Sequence, residues 1–437
     1  MKHGKQLARD IYLDTLAALD IPGVMEQKLS LAGSVLSLEA AAIDLSAFSS
    51  VYVVAVGKAA HAMAAGLRAL LPDTYQFKGV VAAPTKPAMP IPGLQYFVAG
   101  HPNPNADSWR AAEAILPLLR GADERSVVFF LLSGGGSALT ELPIVPGMRL
   151  EDLQSANDAL VTCGAPIEAM NTVRRHLSAV KGGRLALAAP RATKVTLAVT
   201  DVPAGKEHAL ASGPTVPDPS TIADTNRILD QYGLRKKFPE VLSRWLDEGK
   251  MPETPKPGDS AFHNAHFQLL LGTHDLFHAS HHASEARGYV TCCDNSTDDW
   301  PVEKAAEALL GKLDEWRGEN PCERVALIAD GELSSPVIGN GLGGRNSAFV
   351  LSCVEKIAGS KITVLSAGTD GMDGNSPAAG AVADGQTLAR AKALGLDPAA
   401  AFRQSDAYNF FEKLGDAVLT GPTGNNLRDL RILLAEP

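Results

Sequence analysis

The feature that most constrains this chain is a recurring unit. A short, almost unbroken apolar run, often β-branched, ends in a Gly-rich polar turn, and an Ala- and Leu-rich stretch follows. VYVVAVG (51–57) leads into KAAHAMAAGLRALL, VVFFLLSGGG (127–136) into a Pro-containing loop, and KVTLAVTDVP (194–203) into another. The grammar resumes with HFQLLLG (266–272), RVALIADGE (324–332), KITVLSAGTDG (361–371) and DAVLTGPTG (416–424). Strands without polar alternation are buried on both faces, and helices between them supply the cover, so parallel sheets with crossover connections are expected. At 437 residues the chain suits more than one domain. One stretch, Gly249 to Ser260, places Pro at alternating positions and forbids helix. The expectation is an α/β protein with two doubly wound, mainly parallel domains: a Rossmann-like domain over 1–250, a Pro-rich linker over 251–260, a smaller domain over 261–437, and a cleft between the two.

Charge narrows the partners. Forty Lys plus Arg against 49 Asp plus Glu give a net charge of −9, which argues against a nucleic-acid or anionic-membrane surface. A small-molecule ligand is expected, with any anion held by a local cationic pocket, on a monomer or homodimer. The five Cys are odd in number and form no CxxC, which fits neither a disulfide framework nor a zinc site and points to the reducing cytoplasm. Asp10, Asp14 and Asp20 interrupt what would be the apolar core of a leader, and Leu7, Ile11, Leu13, Leu16 and Leu19 read as the inner face of a docked helix. No apolar run approaches the roughly 20 residues needed to span a bilayer.

In open α/β sheets ligands bind outside the carboxyl ends of the strands, so the chemistry is sought there. Gly57 and Lys58 end one strand, where the ammonium either serves an anion or is an ordinary surface group. Ser133, Gly134, Gly135, Gly136 and Ser137 free the backbone to curl around phosphate oxygens or simply to turn. Arg174, Ser178 and Lys181 recur at helical spacing, either as a pocket rim or as a solvated face. Asp201 at a strand tip is suited to ligate Mg²⁺, to accept a hydroxyl proton or to cap a turn, and Ser212 and Gly213 follow in a stiff loop. Further on, Arg345 and Asn346 leave a Gly-rich loop, Asp370, Gly371 and Asp373 end another strand with spacing that suits Mg²⁺ or a turn, and Thr423, Asn425 and Asn426 stand at the last tip. His274, His278, His281 and His282 share a helical face without an HExxH motif, which favours a solvated face over a metal site.

Together VGKAA, SGGGSAL, NTVRRHLSAVKGGRLA, TDVP with ASGPTVPD, GGRN, SAGTDGMDG and LTGPTGNNLRDL resemble, in order and spacing, the glycerate 2-kinase family, whose C-terminal part is the MOFRL domain. The resemblance implies phosphoryl transfer from ATP to the 2-hydroxyl of D-glycerate with Mg²⁺. Carried over by position, Lys58 and Arg345 resemble the family's cleft cations and are catalytic candidates; with phosphoryl transfer as the expected chemistry, the strand-tip Asp201 is the third. Ser133, Gly134, Gly135, Gly136, Ser137, Lys181, Asp370, Gly371, Thr423 and Asn426 become nucleotide contacts, Arg174, Lys181 and Ser212 contacts to the sugar acid, and Asp201, Asp370 and Asp373 metal ligands. The chain departs from the family at Ala204-Gly205-Lys206-Glu207, Ser347-Ala348, Pro377 and Asn425, which puts the sugar acid in question. Hydroxypyruvate reduction is the competing activity, but no strand is followed by GxGxxG with an acidic residue about 20 positions on. A non-catalytic sugar-acid binding protein is the third alternative.

Overall fold

The computed structural model describes residues 4–200, 202, 205–425 and 427–437. The chain forms two compact units: Ile21–Leu270, and Leu271–Pro437 together with the segment preceding Ile21. Helix α1 (Gly4–Ala18) therefore belongs with the C-terminal residues. Its inner face is Ala8, Ile11, Tyr12 and Thr15, and Leu13, expected inside, is exposed. The Tyr12 hydroxyl donates to the Gly368 carbonyl at 2.7 Å, fixing the helix on its own unit.

The larger unit is built on strands β1 (Ser50–Val56), β2 (Phe77–Ala83), β3 (Leu94–Val98), β4 (Ser126–Ser133), β5 (Thr193–Val199) and β6 (Ala265–Leu271). They lie in the order β3-β2-β1-β4-β5-β6, with β1 to β5 paired parallel. This is the doubly wound order, and the winding direction reverses between β1 and β4. Every residue of β4 is buried, and Phe129 and Phe130, both without exposed surface, contribute about 2–3 kcal/mol each. Helices α2 (Ala60–Leu70) and α3 (Ala106–Arg120) follow β1 and β3. A short turn of helix, α4 (Gly136–Leu139), follows β4. Three more, α5 (Leu150–Val161), α6 (Ile167–Leu177) and α7 (Glu240–Asp247), enclose a satellite apolar core around Leu160, Leu229, Leu234 and Leu242.

The Pro-rich stretch is not a linker. Its Met251, Thr254 and Pro255 are buried, Glu253 Oε1 lies 3.0 Å from His176 Nε2, and the Asp218 amide donates to the Pro255 carbonyl at 3.0 Å. Pro makes it extended and it straps across its own unit before entering β6, so the chain leaves the larger unit at Leu270 and not within 251–260.

The smaller unit holds β7 (Val290–Asp294), β8 (Val325–Asp330), β9 (Ile362–Gly368), β10 (Gly380–Asp384), β11 (Ala417–Val418) and β12 (Asp429–Ala435), ordered β7-β8-β12-β9-β10-β11. A mainly parallel sheet was the expectation, yet only β7 and β8 pair parallel; β12 runs antiparallel to both β8 and β9. The loop from β9 to β10 contains no helix to carry the chain across, so these strands also pair antiparallel. Helix α8 (Arg345–Val354) covers this sheet and buries Phe349 and Val350 in its core.

Candidate active site

At the switch point of the larger unit, β1 and β4 close on each other so tightly that Gly57 is required. Its φ is +136°, and a Cβ there would fall 2.1 Å from Ser133 Oγ. Ser133 Oγ accepts from the Ala59 amide at 3.0 Å, and the Lys58 amide donates to the Gly134 carbonyl at 3.0 Å. The two predicted loops, Gly57-Lys58 and Ser133 to Ser137, are thus one structure. Lys58 is half-buried beside Gly135, where an added Cβ would meet Lys58 Cγ at 3.5 Å and His101 Nε2 at 3.2 Å. Ser137 Oγ and Ser212 Oγ are 2.6 Å apart, so Ser212, fully buried at φ +60°, clasps the Gly loop.

This crevice opens into a cavity of about 710 Å³ walled by α5, α6 and α7. Its polar lining includes His101, Ser137, Glu141, Asn157 and Arg174, with the backbone of Gly135. Arg174 Nη2 donates to Asn157 Oδ1 at 2.8 Å, and burial lowers its pKa against the opposing pull of Glu141. Ser178 and Lys181 do not share a helical face with it. Helix α6 ends at Leu177, and Ser178 turns extended to bridge Pro143. Lys181 is fully buried and paired with Glu141, so its ammonium is engaged inside the wall; burial lowers its pKa and Glu141 partly offsets that. Glu141 also accepts from Ser178 Oγ at 2.5 Å and from the Leu142 amide at 2.9 Å. It was missed in the sequence, although a lone carboxylate within ALTELPIV is the kind of buried charge that asks for a partner.

In the smaller unit the antiparallel β12 brings Asp429 to the carboxyl ends of β8 and β9, in register with Gly368. Arg345, the first residue of α8, donates from Nε to Asp429 Oδ2 at 2.5 Å and from Nη1 to Glu332 Oε2 at 2.9 Å. Burial disfavours its charge, but these two carboxylates prevail and raise its pKa. Arg431, fully buried, donates to the carbonyls of Asp330 and Gly331 at 2.9 and 2.7 Å, and burial lowers its pKa to about 10. Asp330 is 1% exposed with one carboxylate oxygen unpartnered; burial raises its pKa to about 6 despite nearby Arg428. Gly371, at φ +84°, passes under the last loop so closely that a Cβ would lie 2.0 Å from the Gly421 carbonyl. Thr423 ties that loop down, donating to the Thr369 carbonyl at 2.5 Å.

Residues 7–247 match the family DUF4147, described as a domain of unknown function, and residues 325–429 match the MOFRL family. A D-glycerate 2-kinase from Thermotoga maritima is 36% identical over 87% of this chain and 90% of its own length. The chain belongs to the glycerate 2-kinase family. A relative from Agrobacterium vitis named provisionally as a hydroxypyruvate reductase is 37% identical over 87% of this chain and 86% of its own. The solved structure of a glycerate kinase from Thermotoga maritima superposes with a TM-score of 0.84 at 33% identity, covering 99% of both chains.

Within this glycerate 2-kinase fold the predicted metal ligands part ways. Asp373 is 1% exposed and caps α8: its two oxygens accept the amides of Asn346 and Ser347, both at 2.9 Å, and the Ser347 hydroxyl at 2.6 Å. Burial raises its pKa, and three of the roughly four lone-pair directions of its carboxylate are taken by donors at the start of α8. Asp370 is half-buried at the tip of β9 and accepts from the Met372 amide at 3.0 Å. Among the described residues, no three His, Cys, Asp or Glu side chains converge to hold a metal ion. Asp201 and Asn426 lie outside the described residues. Asn425, a departure from the family pattern, is buried and donates to the Leu19 carbonyl at 3.0 Å, which gives it a structural role in its own unit. Among the described residues no helix is long and apolar enough to cross a membrane.

Proposed function

We propose that this protein transfers the terminal phosphoryl group of ATP to the 2-hydroxyl of D-glycerate. The observation that carries the reading is the 36% identity to a D-glycerate 2-kinase across nearly the full length of both chains. The switch-point crevice, with Lys58 held beside the Gly-rich turn, supports it. Phosphoryl transfer asks for positioned phosphates, offset charge and an oriented hydroxyl more than for covalent chemistry. Lys58 is assigned to offsetting charge on the phosphates, Arg174 to the glycerate carboxylate, and Asp201, which directly follows β5 and Thr200, to accepting the hydroxyl proton, while Arg345 of the smaller unit keeps the catalytic role that the family resemblance gives it. Lys181 and Ser212 act from within the wall, positioning Glu141 and the Gly loop. Mg²⁺ would come bound to the triphosphate; with no protein cage among the described residues, Asp201 is the larger unit's carboxylate proposed to approach it.

The reductase reading is set aside because β1 is followed by Gly57-Lys58-Ala59-Ala60-His61, which lacks the glycines of a dinucleotide fingerprint. The test is D-glycerate with ATP, scored for ADP by a coupled assay and for the product by ³¹P NMR. 2-Phosphoglycerate is expected, and its formation should stop after treatment with EDTA. NAD(P)H-dependent reduction of hydroxypyruvate without ADP formation, or a 3-phosphorylated product, would overturn the assignment.

A further inference from the structure

The cavity behind the switch point is larger and more apolar than a three-carbon acid requires. At about 710 Å³ it falls in the roughly 300–1,000 Å³ range of pockets for drug-sized ligands. Its inner wall is Met148, Leu153, Ala156, Leu160, Leu177 and Leu242, contributed by α5, α6, α7 and the loop before α5. Glycerate and a triphosphate are both densely polar, and sinking either among these side chains would strip water without supplying partners. A nucleobase with its ribose is flat, uncharged and amphipathic, so it gains from such a wall. The same lining includes Gly135 and Ser137 at the strand tip, with Gly135 beside Lys58, together with Arg174. The arrangement is therefore amphipathic in the same sense as a nucleotide: an apolar compartment continuous with an anion-binding strand tip.

We propose that this cavity is the nucleoside pocket of the ATP site. The adenosine moiety lies among Met148, Leu153, Ala156 and Leu160, with the phosphates directed to Gly135, Ser137 and Lys58. The assignment rests on the kinase reading but is tested without turnover. α5 then acts as a specificity element: Leu153, Ala156 and Leu160 recur on one face, and their bulk sets which bases enter.

Titration of the full chain with the fluorescent analogue mant-ADP reads the pocket directly, with adenosine and tripolyphosphate as competitors. Adenosine should displace mant-ADP from the wild type. In Leu153→Phe and Ala156→Leu, which fill the cavity, the mant-ADP Kd should rise roughly 10- to 200-fold. Tripolyphosphate affinity and the KM for glycerate should stay within about twofold. Thermal melts identify the variants that fold. Independently of any variant, 8-azido-ADP photolabelling of the wild type should mark peptides spanning 143–162. Unchanged mant-ADP affinity in a folded cavity-filling variant overturns the proposal. So does a raised KM for glycerate with nucleotide binding intact, which would make this the acceptor pocket, or labelling confined to residues 271–437. If mant-ADP binds and the filling variants weaken it while no ATP-dependent product forms, the pocket stands and the kinase reading alone fails.

Discussion

The two sheets end in opposite ways. In the larger unit the winding direction reverses between β1 and β4, and the residues after β4 line a cavity of about 710 Å³. In the smaller unit the place between β8 and β9 is filled by β12, whose antiparallel course delivers Asp429 and Arg431 to the carboxyl ends of its neighbours. Charges there bind one another: Arg345 with Asp429 and Glu332, Arg428 with Asp298, Arg431 with the carbonyls of Asp330 and Gly331. The lesson is that strand-end polarity alone does not make a ligand site. An all-parallel switch point leaves an open pocket, whereas an inserted antiparallel strand fills that space and holds Arg345 by Asp429 and Glu332.

The sharpest test of this contrast is the pair sealed in the cavity wall. Lys181→Met strands Glu141 as a buried unpaired carboxylate and should cost about 3–5 kcal/mol in urea unfolding, most of it recovered in Glu141→Gln/Lys181→Met. A loss below about 1 kcal/mol in the single variant would place both groups in solvent and break the picture. Next in size, Lys58→Ala and Arg345→Lys should each lower kcat by on the order of 10²–10³. They should differ in stability: Lys58→Ala melts near wild type, while Arg345→Lys gives up the fork to Asp429 and loses about 1–3 kcal/mol. Equal melting temperatures would mean that Arg345 is not part of a network.

A smaller effect concerns pH. Burial raises Asp330 from 3.8 to about 6 in the folded protein, so the native state holds that proton more tightly than the unfolded chain. The stability this gives is complete below about pH 4 and is lost as pH rises through about 6. Asp330→Asn removes that loss and should gain on wild type by on the order of 2–3 kcal/mol between pH 4 and pH 8. Parallel pH curves for the two proteins would refute it. Smallest of all, His274, His278 and His282 are exposed on the helix Thr273–Glu285, and their joint replacement by Ala should move stability by no more than about 0.5 kcal/mol without removing any Zn²⁺ binding.

Much of the fold was legible in the sequence because unbroken apolar runs mark buried strands, and the Gly-rich turns after β1 and β4 meet at one strand tip. Lys58 and the Ser133–Ser137 turn were singled out that way, and Arg174 by its place in a helical pattern. Strand order was not legible: nothing local in RDLRILLAE says that β12 inserts between β8 and β9, although Asp429 and Arg431 alternating into an apolar strand is a signal of buried charge. Lys181 was misplaced because helical spacing was carried past Leu177, where the backbone turns extended to pair with Pro143. The cavity was invisible because its walls come from α5, α6 and α7, which only tertiary packing brings together. The expected domain boundary failed for a related reason: Pro makes a segment extended, and an extended segment also serves as a strap.

The placement of α1 has a consequence for how the protein is made. Its apolar face of Ala8, Ile11 and Tyr12 belongs against residues that follow Leu271, so the ribosome must deliver all of Ile21–Leu270 before that helix can dock. At roughly 5–20 residues per second, the wait is on the order of 10–50 s. The larger unit emerges complete in the interval and is free to fold first, whereas the smaller one stays open until β12 leaves the exit tunnel. Nascent chains stalled far enough past Leu271 for β6 to clear the exit tunnel should therefore already resist protease over the inserted unit while the N-terminal segment remains the first site of cleavage.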